Sequence, residues 1–145
     1  MFLLDTDVVS LLRRPDRHPA AVGWLRGQRP ADVFISVVTL AEIERGLARQ
    51  KRGNPAFARD LEAWMDQLAA SFADRIIGVD PAAARLWGRM SGDIGRFNVD
   101  LLIAATALVH GFTVVTRNVR HFKPTGVRLL NPFGDNDPGA SPEGR

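Results

Sequence analysis

Phe2-Leu3-Leu4-Asp5-Thr6-Asp7-Val8-Val9 is the stretch on which the fold turns. Three apolar residues run into a carboxylate, and a second carboxylate follows two positions on. A short continuous apolar run of this kind reads as a buried strand at the centre of a parallel sheet. Asp5 then stands at the carboxyl end of that strand, where open α/β sheets place their ligands. A plainer role is also open to it, since Asp5 or Thr6 can cap a helix beginning near Val8. Chemistry at Asp5 therefore depends on whether other acids arrive at the same place.

Outward from that strand, helices and strands alternate. Val8 to Arg14 reads as a short helix stopped by Pro15, and His18 to Arg26 as a second helix. Val33 to Val38 is a β-rich apolar run, hence a second strand, after which Thr39-Leu40-Ala41-Glu42 opens a helix reaching about Arg52 and ended by Gly53-Asn54-Pro55. Ala56 to Phe72 carries Leu61, Trp64, Met65 and Leu68 along one stripe. Arg75 to Val79 is a third strand, and Asp80-Pro81 has the cap-then-proline form of a helix start. Asn98 or Val99 begins a helix apolar nearly all round, closed by His110-Gly111, which places it in the interior. Phe112 to Thr116 is a fourth strand, Arg117 to Phe122 a loop or single turn, and Val127 to Leu130 a candidate edge strand. The pattern predicts an α/β fold, a mainly parallel central sheet of four to five strands flanked by helices. One domain over residues 1–133 is expected, with a disordered tail over 134–145, where Gly, Pro, Asp and Ser replace any apolar pattern.

Composition narrows the function classes. A chain of 145 residues builds one core and not two. The absence of cysteine removes a disulfide framework, a thiolate zinc site and a cysteine nucleophile, and it fits a reducing cytoplasm. No secretory signal is read at the start, and no apolar run reaches the roughly 18 residues of a membrane span. The three histidines lie far apart in sequence, against a histidine-based zinc site or triad. Net charge is +3, a slight bias toward a polyanionic partner, and the abundance of Arg suits phosphate recognition.

Four strand-to-helix junctions carry polar groups: Asp5 with Asp7, Glu42 in a first helical turn, Asp100 in another, and Thr116 with Asn118. In a parallel sheet all strand exits lie on one edge, so these groups can converge. Clustered carboxylates repel one another, and one protonates unless a cation sits between them. Oxygen-rich sites of that kind suit Mg²⁺ or Mn²⁺ and phosphodiester displacement. Each residue also has a structural reading. Thr39 to Glu42 matches a capping box. Asp100 is a favourable charge at a helix N-terminus, although so apolar a helix should bury its start and leave the acid wanting a partner. Asn118 suits a turn, and Glu44 reads as a solvated face.

Taken as an ordered set, these motifs resemble a known family. Leu3-Leu4-Asp5-Thr6-Asp7-Val8-Val9-Ser10, Ser36-Val37-Val38-Thr39-Leu40-Ala41-Glu42-Ile43, Asp100-Leu101-Leu102-Ile103-Ala104-Ala105-Thr106-Ala107 and Thr113-Val114-Val115-Thr116-Arg117-Asn118 are similar to the PIN-domain family, most of all to VapC-type and FitB-like toxins of type II toxin–antitoxin modules. The likeness extends to about Phe133. It implies a PIN fold, a homodimer, and a Mg²⁺- or Mn²⁺-dependent endoribonuclease held in check by a cognate antitoxin. It places Asp5, Glu42 and Asp100 on three acidic metal positions. Asn118 occupies a fourth that is often Asp, with Thr116 as the accompanying hydroxyl. Asp7 stands where many relatives have Asn, and His121 where relatives often have Asp. These departures remove negative charge from one side and bear on a second metal more than on the first. Asp7 and Asn118 are further metal candidates, and Arg13, Arg14, Arg117 and Arg120 are candidates for RNA binding.

Two other readings stay open at this level. Asp5-Thr6-Asp7-Val8 after an apolar strand also resembles the nucleophile motif of haloacid-dehalogenase-type phosphatases, with Gly92-Asp93 as a remnant of their later motif. With Asn118 in the fourth place, the alternative reading is a weakly active or inactive partner of an antitoxin in an autoregulatory complex on operator DNA. An antitoxin peptide has plausible grooves along Val9–Arg14 and Ile43–Arg52, where an Arg of the peptide can enter the acidic site. The Ala56–Phe72 helix, for its aromatic and Met content, is the candidate dimer surface.

Overall fold

The structure is a computed structural model that describes residues 1–134. Five strands form one sheet: β1 (Phe2–Leu4), β2 (Val33–Ser36), β3 (Ile76–Ile77), β4 (Thr113–Val115) and β5 (Leu129–Leu130). Their order is β3-β2-β1-β4-β5, and every pairing is parallel. The opening strand is central, as its apolar run requires. Leu4 lies opposite Ile35 on one side and Val115 on the other. Strand order reverses between β1 and β4, the switch point beyond whose carboxyl ends open α/β sheets form their ligand crevice.

Alternation along the strands divides the core. Leu3 and Val114 pack on one face with Ile103, Ala104 and Ala107, whereas Leu4 and Val115 pack on the other with Val8, Val9 and Ile43. The first face is covered by helices α5 (Pro81–Ile94) and α6 (Val99–His110). The second is covered by α1 (Thr6–Leu11), α2 (Pro19–Arg26), α3 (Val37–Gly53) and α4 (Pro55–Ser71). The short α7 (Val119–Phe122) follows β4 and buries Phe122. Fully burying a Leu, Val or Phe side chain contributes about 1.5–3 kcal/mol, which makes the two faces the main source of stability. Among the described residues no helix is long and apolar enough to cross a membrane.

Several expected boundaries move, each for a local reason. Strand β2 ends at Ser36, and Val37 and Val38 are already helical, although their β-branched side chains favour a strand. The cap decides the matter: Ser36 Oγ accepts the Val38 N–H at 3.0 Å. Thr39 therefore lies inside α3, the capping box Thr39–Glu42 does not exist, and Glu42 sits beyond the first turn. The first helix begins at Thr6 rather than Val8. On the expected aromatic surface of α4, Trp64, Met65 and Leu68, with Phe72 just beyond the helix, are partly buried against the core. At α6 the reading holds at both ends. Asn98 Oδ1 accepts the Leu101 N–H at 3.0 Å, and Gly111 takes the left-handed conformation at φ 73°. The tail expected from Gly134 lies outside the described residues, save for Gly134 itself.

Candidate active site

Asp5 occupies the first position after β1, and the sheet holds it from both ends. Its backbone N–H donates to Val115 O at 2.9 Å, extending the ladder one residue past the strand. Its backbone takes the N-cap position of α1, yet its side chain caps nothing. The carboxylate instead accepts the Thr116 hydroxyl at 2.9 Å, and Thr116 Oγ1 in turn accepts the Asn118 N–H at 2.9 Å. Asp5 is only 3% exposed. Burial pushes its pKa up to about 7; the Thr116 hydroxyl opposes the shift, and the nearby carboxylates of Asp7 and Asp100 add to it.

The other acids arrive from separate elements. Glu42, on α3, accepts the Thr6 hydroxyl at 2.6 Å. Thr6 has one hydroxyl proton and gives it to Glu42, so in its 3.0 Å contact with Thr39 the Thr39 hydroxyl is the donor. The pKa of Glu42 is raised, first by burial and then by Asp100 and Asp7, while Thr6 and Arg45 pull it down. Asp100 lies in the first turn of α6 and faces His121 Nδ1 at 3.6 Å, an ion pair when the imidazole is protonated. Its pKa is also raised by burial, against the opposing pull of His121 and Arg96, with Asp7 adding to the rise. Asp7 is exposed and accepts a short hydrogen bond from Asn118 Nδ2. Asp5, Asp7, Glu42 and Asp100 thus feel one another electrostatically, as expected of groups gathered at one sheet edge.

These groups fit a hard divalent cation in their chemistry. The donors are all oxygen, and the burial and, after it, the mutual repulsion that raise three of the pKa values are what a cation relieves. As placed, each carboxylate is turned to a partner of its own, and among the described residues no three acidic or histidine side chains stand close enough to share one ion.

The basic candidates are more dispersed. Arg13 lies over the Phe57 ring at 4.6 Å and lines a groove of about 170 Å³ with Thr6, Ser10, Glu42, Ile43 and Trp64. Arg14 is exposed beside it in sequence, Arg117 lies over the Phe133 ring at 5.1 Å, and Arg120 is exposed on α7. Sequence reasoning passed over Thr6 as a positioning group. The signal was present, a hydroxyl between two acids at a strand exit, but its partner is 36 residues away.

The PIN domain family model matches residues 2–126. The chain belongs to the PIN-domain family. As a PIN domain it is 32% identical to the VapC ribonuclease Y4jK of Sinorhizobium fredii, over 92% of this chain and 98% of that one. It is 31% identical to the toxin FitB of Neisseria gonorrhoeae, over 93% of this chain and all of that protein. The structure of FitAB bound to an IR36 DNA fragment superposes with a TM-score of 0.79 at 33% identity, covering 92% of this chain and 96% of the other. The phosphatase alternative falls away with that match, and no lysine is among the residues bonded to Asp5.

Proposed function

We propose that this PIN domain is the endoribonuclease toxin of a type II toxin–antitoxin pair, acting in the cytoplasm on RNA phosphodiester bonds with Mg²⁺ or Mn²⁺, with residues 1–133 as the catalytic unit. The observation that carries the reading is the convergence of Asp5, Glu42 and Asp100 from three elements, all with raised pKa values, at the switch point of the sheet. The ribonuclease and toxin relatives, alike over nearly their whole length, support it.

Asp5 and Asp100 would hold the cation directly, and Glu42 would hold it or orient a water. Asp7 and Asn118 are further ligand candidates. When bound, such an ion lowers the pKa of water and offsets the charge that builds on the phosphoryl oxygens. The chain's own residues supply orientation. Thr116 fixes the Asp5 carboxylate and Asn118 fixes Thr116, so the β4 exit holds the β1 exit in place. Thr6 restrains Glu42, and Asn118 steers Asp7. Arg13, Arg14, Arg117 and Arg120 are proposed to follow the RNA backbone, so affinity should fall with salt.

The partner is a cognate antitoxin. The groove lined by Thr6, Arg13, Glu42, Ile43 and Trp64 suits its peptide, with an Arg of that peptide entering among the acids. A homodimer carrying antitoxin on operator DNA is the assembly this reading implies, and the DNA-bound FitAB structure supports it. Asn118, which spends its amide on Asp7, favours a second reading in which the site is weakened and the DNA complex is the main role.

Antitoxin-free protein incubated with a structured RNA pool tests the first reading. Cleavage should need Mg²⁺ or Mn²⁺ and vanish in Asp5→Asn and in Asp100→Asn. Folded protein that binds neither ion by calorimetry and cuts nothing, yet shifts operator DNA with its antitoxin, would establish the second.

A further inference from the structure

The loop between α5 and α6 carries a feature that neither the core nor the acidic site explains. Phe97 is 72% exposed, the most exposed large apolar side chain among the described residues. A single exposed aromatic is ordinary, but this one is prepared. Its ring lies on that of Trp87, with centroids 4.1 Å apart and planes inclined by 21°. Trp87 is half-buried and locked, because its indole N–H donates to Asn98 O at 2.9 Å. One face of Phe97 is therefore backed by a fixed indole while most of the ring meets solvent. Gly95, in the left-handed conformation at φ 82°, ends α5 and turns the chain just before Arg96 and Phe97.

Position gives the feature its meaning. Phe97 stands three residues before Asp100, and the preceding Arg96 is close enough to act on the Asp100 carboxyl. Arg96 is exposed. An open aromatic face next to an exposed cation, beside a site for phosphodiester chemistry, matches what single-stranded nucleic acid requires: a ring for a base and positive charge for the backbone. A partner protein would call for a continuous apolar field. The chain neighbours of Phe97 are instead Arg96 and Asn98.

We propose that Phe97, backed by Trp87, is a base-stacking subsite for single-stranded RNA that sets which phosphodiester is presented to the acidic site. The proposal rests on the nuclease reading above and deepens it. Stacking accepts any base, so this subsite fixes register rather than sequence. Because the ring is exposed and the indole is held by a backbone carbonyl, removing Phe97 leaves the fold intact.

The test compares Phe97→Ala and Phe97→Tyr in an Asp5→Asn background that binds RNA without cutting it. The probes are a short fluorescent single-stranded RNA and inorganic polyphosphate, a polyanion without bases. Cleavage by protein with intact acids and sedimentation are measured in parallel. Phe97→Ala should weaken RNA binding about tenfold, leave polyphosphate binding unchanged, and scatter the cleavage positions, while Phe97→Tyr restores all three. Equal RNA affinity of Phe97→Ala and its parent overturns the subsite while cleavage keeps the nuclease reading. Parallel loss of RNA and polyphosphate binding overturns it in favour of a general electrostatic or folding role. A changed oligomeric state in Phe97→Ala overturns it in favour of a self-association contact. Protein that neither binds nor cuts RNA overturns the nuclease reading and the subsite together.

Discussion

Asp5 brings the cost of the site down to one atom group. A folded pKa of about 7 against an unfolded value of 3.8 means that the folded chain binds this proton more tightly. The sign follows: stability is greatest where Asp5 is protonated in both states, falls as pH rises from about 4 to about 7, and is flat beyond. At about 1.4 kcal/mol per unit of pKa, the loss is on the order of 4 kcal/mol, and Glu42 and Asp100 push in the same direction. Asp5→Asn removes the charge and keeps an acceptor for the Thr116 hydroxyl. Urea unfolding of chelator-treated protein should show little difference between Asp5→Asn and wild type near pH 4. Above pH 7 the variant should be more stable by a few kcal/mol. Equal stability at high pH would mean that the carboxylate is better solvated than its burial indicates. Asp5 and Asp100 were legible in sequence because each is an acid set against an uninterrupted apolar run. Thr116 was legible too, as the hydroxyl at the β4 exit, but that Thr6 holds Glu42 was not, since the two are 36 residues apart.

Among the elements, α1 and α3 are joined at the site by the Thr39–Thr6–Glu42 chain of hydroxyls and carboxylate. Thr6→Val keeps the shape and deletes the donor. Glu42 then loses the bond that opposes its raised pKa, and Thr39 loses its acceptor in a buried place. We expect a stability loss of about 1–2 kcal/mol. The acid limb of the cleavage profile should move to higher pH, with activity near neutrality down several-fold, and Thr6→Ser should restore both. An unmoved pH profile with only the stability loss would reduce Thr6 to packing. The same region shows why boundaries are harder to read than elements. Val33 to Val38 is unbroken β-type sequence, and only the Ser36 hydroxyl, with Val38 packed into the core, ends the strand two residues early. Helix α6, by contrast, carries its own punctuation in Asn98 and Gly111, and its interior is apolar enough that no competing placement exists. The α5–α6 loop gave no sequence signal, because the pairing of Trp87 with Phe97 depends on the left-handed turn at Gly95.

At the scale of the molecule, a parallel sheet whose order reverses at β1/β4 brings one acid from each of three elements within electrostatic reach of one another, and the fold pays for that concentration of charge in stability. On the proposed metal-dependent reading, metal and fold are coupled. An ion that binds only the folded chain stabilises it by RT ln(1 + [ion]/Kd), about 2.7 kcal/mol at a hundredfold excess over Kd. Because protons and the ion compete for the same carboxylates, the gain should be large above the folded pKa of Asp5, near 7, and shrink as pH falls below it. Thermal unfolding with graded Mg²⁺ or Mn²⁺ at pH 8 and at pH 5 checks this directly. Wild type should gain at pH 8 and hardly at pH 5. Asp5→Asn should begin more stable in chelator and gain little at either pH, so the two proteins converge as metal is added at pH 8. Equal gains in both proteins would place the ion elsewhere on the surface and leave the crevice as a cluster held together by Thr6, Thr116 and Asn118 alone.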